Sequence, residues 1–311
     1  MEIRAILLII FGSILLLFLI ALFFIYMFVF YAPKQSDFNI PKNEQYDLFN
    51  DKMIELVKDI QNIPYEDVYV ATKDGKTLHG RYYKLFDTNE VAICFHGYRG
   101  TAVRDFSGGA HLVIEKKQNF ILVDQRGQGK SSGKFMSFGI KEREDVETWV
   151  TFVNQLYENK CKIYLYGVSL GAATILMSAS KTYENVICFI ADSPYSSPKD
   201  IIQSVMKQMK LPVKAMYWLV YLSALIYGHF NLHKYNAIDE VKNCKIPILI
   251  IHGDDDRVVP VEMSKKIAEA NKKYVKLEIF KDAAHALSYL YDEEKYKKCV
   301  SEFLNSLDFN A

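Results

Sequence analysis

Cysteine is scarce and scattered in this chain. The five cysteines among 311 residues, Cys94, Cys161, Cys188, Cys244 and Cys299, are odd in number and include no C-x-x-C pair. That excludes a disulfide framework and the usual zinc spacing, and leaves buried or half-buried free thiols. Net charge is nearly absent too, since 38 Lys and Arg against 37 Asp and Glu give +1. With no basic run and no interleaved aromatic stripe, nothing in the chain draws nucleic acid. The histidines His79, His111, His229, His233 and His252 offer no evident ligand set, so no metal is expected. Asn-x-Ser/Thr sequons are missing throughout, which removes one mark of a glycosylated exterior.

Charge is also missing from all of residues 5–33, where Ile, Leu and Phe fill nearly the whole stretch. At about 1.5 Å per residue a helix of this length exceeds the roughly 30 Å hydrocarbon core of a bilayer and spans it with tilt. A cleaved signal peptide is the alternative. Its apolar region runs about 7–15 residues before a small-x-small site, whereas this one is longer and ends in Phe30-Tyr31-Ala32-Pro33. An uncleaved signal anchor over residues 1–33 is therefore expected, holding the protein in the membrane through residues 5–32. Arg4 and the amino group on one side, with Lys34 and Lys42 on the other, give the positive-inside rule little to weigh. The remaining domain is expected on the extracytoplasmic side.

Residues 34–64 carry Pro41 and Pro64 around a short helical pattern, Leu48, Phe49, Met53, Ile54 and Val57, and read as a juxtamembrane connector. Alternating segments at 67–72 and 77–86 flank Lys73-Asp74-Gly75-Lys76, a hairpin signal. Short apolar strands then alternate with helical stretches, at 91–95, 120–123, 163–166, 186–191, 246–251 and 275–280. That rhythm implies a mostly parallel sheet covered on both faces, with ligands gathering at the carboxyl ends of its strands. One stretch breaks it. More than fifty residues separate the strands ending near Ala191 and starting near Ile246, where a crossover needs only about a dozen. This insertion, about 194–235, is rich in Met, Leu, Trp and Tyr, and reads either as a cap on the core or as a lid with an apolar underside.

Chemistry centres on Gly167-Val168-Ser169-Leu170-Gly171, which joins the apolar Tyr164-Leu165-Tyr166 to the small Ala172-Ala173. A strand, a sharp turn and a helix in this order push a serine clear of its backbone, provided the residues two before and two after it are small. Such a serine needs a histidine to take its proton and a carboxylate to orient the imidazole. Downstream, Asp254-Asp255-Asp256 follows the strand ending near Ile251, and His285 sits among small residues before the last helix. Ser, Asp, His is the chain order of an α/β-hydrolase triad. Asp192, just after another strand, is a second candidate for the acid. Upstream, the loop His96-Gly97-Tyr98 follows a strand exit, and the backbone N–H groups of Tyr98 and Leu170 are the pair expected to hold an oxyanion. His96 itself reads as a loop-shaping residue, and Asp124 and Arg126 as anchors of the Asp-Gln-Arg-Gly loop.

Taken together, His96-Gly97-Tyr98, Asp124-Gln125-Arg126-Gly127-Gln128-Gly129-Lys130-Ser131, the serine pentapeptide, Asp192-Ser193-Pro194-Tyr195, His252-Gly253-x-x-Asp256-x-x-Val259-Pro260 and His285 make the chain resemble a known family. It is similar to α/β-hydrolases of the serine aminopeptidase and Bem46-like group, many of them tethered by one N-terminal helix. The resemblance covers about residues 65–305. It implies an α/β-hydrolase fold: a mostly parallel eight-stranded sheet with helices on both faces and a helical lid, preceded by one transmembrane helix. Residues 65–311 would form the hydrolase domain. It also selects Asp256, four residues after His252, as the acid beside Ser169 and His285. The expected function is a membrane-anchored serine hydrolase acting on an ester or thioester with an apolar, lipid-like acyl group, with no metal or organic cofactor. Peptide-bond cleavage on the same triad is the alternative within that chemistry, and a catalytically silent membrane-tethered binding module is the alternative outside it.

Overall fold

The computed structural model describes residues 2–307. Its sheet has eight strands: β1 (Glu66–Ala71), β2 (Thr77–Tyr83), β3 (Glu90–Phe95), β4 (Asn119–Asp124), β5 (Lys162–Val168), β6 (Val186–Asp192), β7 (Ile248–Gly253) and β8 (Val275–Phe280). They lie in the order β1-β2-β4-β3-β5-β6-β7-β8. The β1–β2 hairpin turns at Gly75, which adopts φ 77° as an Asp-Gly turn demands. β2 pairs antiparallel with β4, and every later pairing is parallel.

Side-chain alternation along the strands builds two cores, one on each face. On one face Ile93, Phe95, Ile121, Ile163 and Leu165 pack against Trp149 and Val153 of a helix at Glu142–Leu156. On the other, Ala92, Cys94, Leu122, Tyr164 and Tyr166 meet Leu112 and Val113 of Ser107–Glu115, and Val300 and Phe303 of Glu293–Leu307. The connector's helix, Asn50–Gln61, joins this second face by burying Leu56, Val57 and Ile60. All five cysteines are free and buried.

The N-terminal helix α1 (Glu2–Phe30) is two things along its length. Residues 3–18 are exposed throughout, whereas Leu22, Tyr26 and Phe30 are buried against the domain. Tyr26 meets the Phe135 ring at 4.8 Å, and Phe30 meets Phe230 at 5.3 Å and Phe138 at 5.8 Å. Burying side chains of this size contributes about 1.5–3 kcal/mol each. The last carbonyls of a helix have no partner within it. Here they are met from the domain: Tyr98 Oη donates to the Val29 oxygen at 2.9 Å, and Arg99 donates to the oxygens of Phe28 at 2.7 Å and Tyr31 at 3.1 Å.

The insertion folds as α2 (Pro198–Gln208) and α3 (Val213–Ser223), with α3 running on into a single π-turn at Ala224–Gly228. Ser197 caps α2, its hydroxyl accepting from the Asp200 amide, and Pro198 occupies the first helical position. α1 packs alongside α3, and Tyr227 of the π-turn donates its hydroxyl to the Leu19 carbonyl at 2.8 Å.

Candidate active site

Ser169 sits at φ 53°, ψ −113° between β5 and the helix Leu170–Met177. Few non-glycine residues tolerate that conformation, and the surrounding glycines permit it. A Cβ added at Gly167 would lie 2.5 Å from the Ala172 nitrogen, and one at Gly171 would overlap the Phe95 carbonyl. The Ser169 amide donates to the Asp192 oxygen at 2.8 Å, which ties the turn to the end of β6.

The loop after β8 brings His285 to the serine. Its Nε2 lies 2.9 Å from Ser169 Oγ, and its Nδ1 lies 2.6 Å from Asp256 Oδ2. Asp256 is fixed in turn, because its Oδ1 accepts from the amides of Val258 at 2.8 Å and Val259 at 2.7 Å. His252 Nε2 stands 3.1 Å from Asp256 Oδ2. Burial opposes ionisation of Asp256, yet the charge of His285 and hydrogen bonds from His252 and His285 outweigh it and hold this carboxyl well below the usual carboxylate range. For His285 burial works against protonation, and the charge and hydrogen bond of Asp256, with help from Asp192 and Asp105, raise its pKa above the ordinary histidine value. A serine, an imidazole and an ionised carboxylate thus form one hydrogen-bonded line, the arrangement that lets an imidazole accept a hydroxyl proton.

The other candidates lie elsewhere in this network. Asp254 accepts the Asp282 amide at 2.6 Å, and Asp255 accepts from Gln45 at 2.8 Å and faces Arg257. Asp192 is held by Ser193 at 2.9 Å and Tyr296 at 3.1 Å, and makes no hydrogen bond to His285 among the described residues. Burial raises its pKa. His96 is buried, with its ring on the Gly97 carbonyl and the Gln125 amide. Leu170 opens the helix after the serine and Tyr98 lies in the loop after β3, and the amides of both donate to no protein group among the described residues. Arg126 is paired with Asp145 and Asp74, and Asp124 accepts from the Lys130 amide and meets His79. Among the described residues no cluster of three or more His, Cys, Asp or Glu side chains could hold a metal ion.

Two cavities meet at Ser169. The larger, about 510 Å³, is lined by Tyr195, Ile201, Ile202, Met206, Met216 and Val220 from the lid region, and by Phe24, Ile25, Phe28 and Val29 of α1. The smaller, about 250 Å³, is more polar and reaches Arg104, Asp105 and His285. Its wall includes Pro41, Asn43 and Tyr46, and Tyr46 Oη donates to the His285 carbonyl at 2.9 Å. Sequence reasoning missed both the connector and α1 as site elements. A uniformly apolar run and a short polar helix carry no mark of which side chains will face a cavity formed by segments more than a hundred residues away. The apolar residues of the insertion do not all face the cavity. Met216 lines the cavity, whereas Trp218 is 52% exposed and points away from it.

The sheet order, the strained serine turn and the line of hydrogen bonds define an α/β-hydrolase. The prolyl oligopeptidase family profile matches residues 104–307, and the chain belongs to that family. It is similar to an uncharacterized protein of Bacillus subtilis, 23% identical over 282 residues that make up 90% of each chain. It is likewise similar to protein bem46 of Schizosaccharomyces pombe, 24% identical over 259 residues and 80% of each chain. Among solved structures it superposes on an esterase of Pyrococcus furiosus with TM-score 0.65 and 27% identity, over 80% of this chain and 93% of that one. An acylaminoacyl peptidase of Pyrococcus horikoshii shares the fold at TM-score 0.59 and 18% identity, over 81% of this chain and 42% of that one.

Proposed function

We propose that the protein is a membrane-anchored serine hydrolase that cleaves an ester or thioester bearing an apolar acyl group. The observation that carries this reading is the line Ser169–His285–Asp256 opening onto an apolar cavity. Ser169 Oγ attacks the acyl carbonyl while His285 Nε2 takes its proton, and the amides of Tyr98 and Leu170 receive the oxyanion. His285 returns that proton to the departing alcohol or thiol, leaving an acyl-enzyme. Water then attacks with His285 again as base, and the acid and free Ser169 are released. These steps draw on no metal or organic cofactor.

The buried end of α1 supports retention of the helix. Cleavage after it would bare the apolar faces of Phe138 and Phe230, which now pack on Phe30, and leave the side chains of Tyr98 and Arg99 without the carbonyls they meet. The length of α1 supports its role as an anchor. Membership of a peptidase family gives amide cleavage a place as the second reading. A panel of p-nitrophenyl esters of increasing chain length, run beside aminoacyl anilides, separates the two. Ester hydrolysis that strengthens with chain length and exceeds anilide cleavage is expected. Preferential anilide cleavage would establish the peptidase, and turnover of neither by folded protein would favour a silent binding module.

A further inference from the structure

We propose that α1 is a wall of the acyl pocket as well as an anchor, and that the acyl chain of a bilayer lipid reaches Ser169 sideways, between α1 and the lid. This rests on the hydrolase reading above and adds the source of the substrate and the residues that select it. Four side chains of one α1 stretch, Phe24, Ile25, Phe28 and Val29, line the same cavity as Ser169 and the lid residues Ile202, Met206 and Met216. Phe24 and Phe28 are largely exposed and form its lip, while Ile25 and Val29 are partly buried behind them. Positions 24, 25, 28 and 29 share one helical face, spaced as neighbours on adjacent turns must be.

Helix length sets the depth of this mouth. About 20 residues cross the hydrocarbon core, and counting from Ile3 that crossing ends near Leu22, where burial by the domain begins. The lip therefore stands at the level of the lipid headgroups. The lid's outer surface suits the same level, since Trp218, Leu225 and Ile226 keep 52, 37 and 40% of their surface exposed on the helix and π-turn that pack against α1. Tryptophan with aliphatic neighbours favours the membrane–water boundary. The helix is also fastened to the catalytic loop, because its last carbonyls take hydrogen bonds from Tyr98 and Arg99, the residues that follow His96-Gly97. Apart from Arg99 and the hydroxyl of Tyr98, an acyl chain leaving the bilayer at this point meets apolar side chains on its way to the serine.

The full-length protein in phosphatidylcholine nanodiscs tests this with two readouts. Ile25→Trp narrows the cavity and Phe28→Asp places a charge at its lip, whereas Leu17→Trp alters an exposed α1 position remote from it. The ratio of p-nitrophenyl palmitate to p-nitrophenyl acetate turnover should fall about tenfold or more in the first two variants, the scale on which apolar pockets discriminate. Leu17→Trp should keep the wild-type ratio. Tritiated palmitate retained by Ser169→Ala protein, above that in empty discs, should fall with Ile25→Trp or Phe28→Asp added and hold with Leu17→Trp. Because Phe28 is exposed, its variant tests the idea even where Ile25→Trp fails to fold. Equal losses on palmitate and acetate esters, or palmitate retention indifferent to Ile25 and Phe28, would overturn the proposal. Palmitate retention that follows the variants in a protein without esterase activity would instead leave α1 as a pocket wall and remove the hydrolase reading.

Discussion

Asp254, Asp255 and Asp256 are chemically identical, so their roles depend on what each carboxylate touches. Asp256 alone takes two loop amides on one oxygen and His285 on the other, while Asp254 is spent on a loop amide and Asp255 on Gln45. Asp256→Asn should keep the shape, favour the wrong tautomer of His285 and lower turnover by about 10⁴, as the corresponding change does in serine proteases. Asp254→Asn and Asp192→Asn should cost far less in steady-state assays. Asp256→Asn also removes the negative charge that raises the His285 pKa. Since the base must be neutral, wild-type kcat/KM should fall as pH drops through a value above the ordinary histidine pKa, and in Asp256→Asn this acid limb should move to lower pH. Near wild-type activity in Asp256→Asn with a dead Asp192→Asn would transfer the acid role. That Ser169, Asp256 and His285 could meet was legible in the sequence because the glycines around Ser169 answer to local strain and the order Ser, Asp, His is the one this fold carries. Choosing among adjacent aspartates needed the pattern around His252, since hydrogen bonds between distant loops leave no periodicity to read.

At the scale of elements, strands and hairpin were readable because alternation and a turn residue mark them locally. Two element boundaries moved for a physical reason: β7 begins at Ile248, just after Pro247, which has no amide to donate, and β2 stops at Tyr83, before Leu85 and Phe86 turn their amides onto the Asn119 side chain. The lid was visible as excess length, but its facing was not, because an apolar helix lodged between a cavity and an apolar outer surface has no polar side to orient it. Met216 faces inward and Trp218 outward. Polar replacement of Met206 and Met216 should therefore depress hydrolysis of long-chain esters well beyond that of acetate esters. Trp218→Ser should leave the chain-length profile alone. Equal losses on long and short esters from the inward pair would reduce the lid to a support for the core.

For the whole molecule, the sequence divides into anchor, connector and hydrolase domain, which suggests that the anchor supplies location only. The structure joins them more closely. α1 borders the cavity and takes hydrogen bonds from Tyr98 and Arg99, and the connector reaches His285 through Tyr46. A chain beginning near Lys34 should consequently lose long-chain turnover and show increased self-association by light scattering, because the faces around Phe138 and Phe230 are bared. Long-chain activity equal to that of the full-length protein would restore the simpler division. Covalent capture asks most directly whether Ser169 is a nucleophile activated by His285. A fluorophosphonate probe followed by peptide mass spectrometry should place the adduct on Ser169 in the wild-type protein and find little or none in His285→Ala. Folded wild-type protein that takes up no probe, or takes it up at another residue, would mean that Ser169 is not an activated nucleophile.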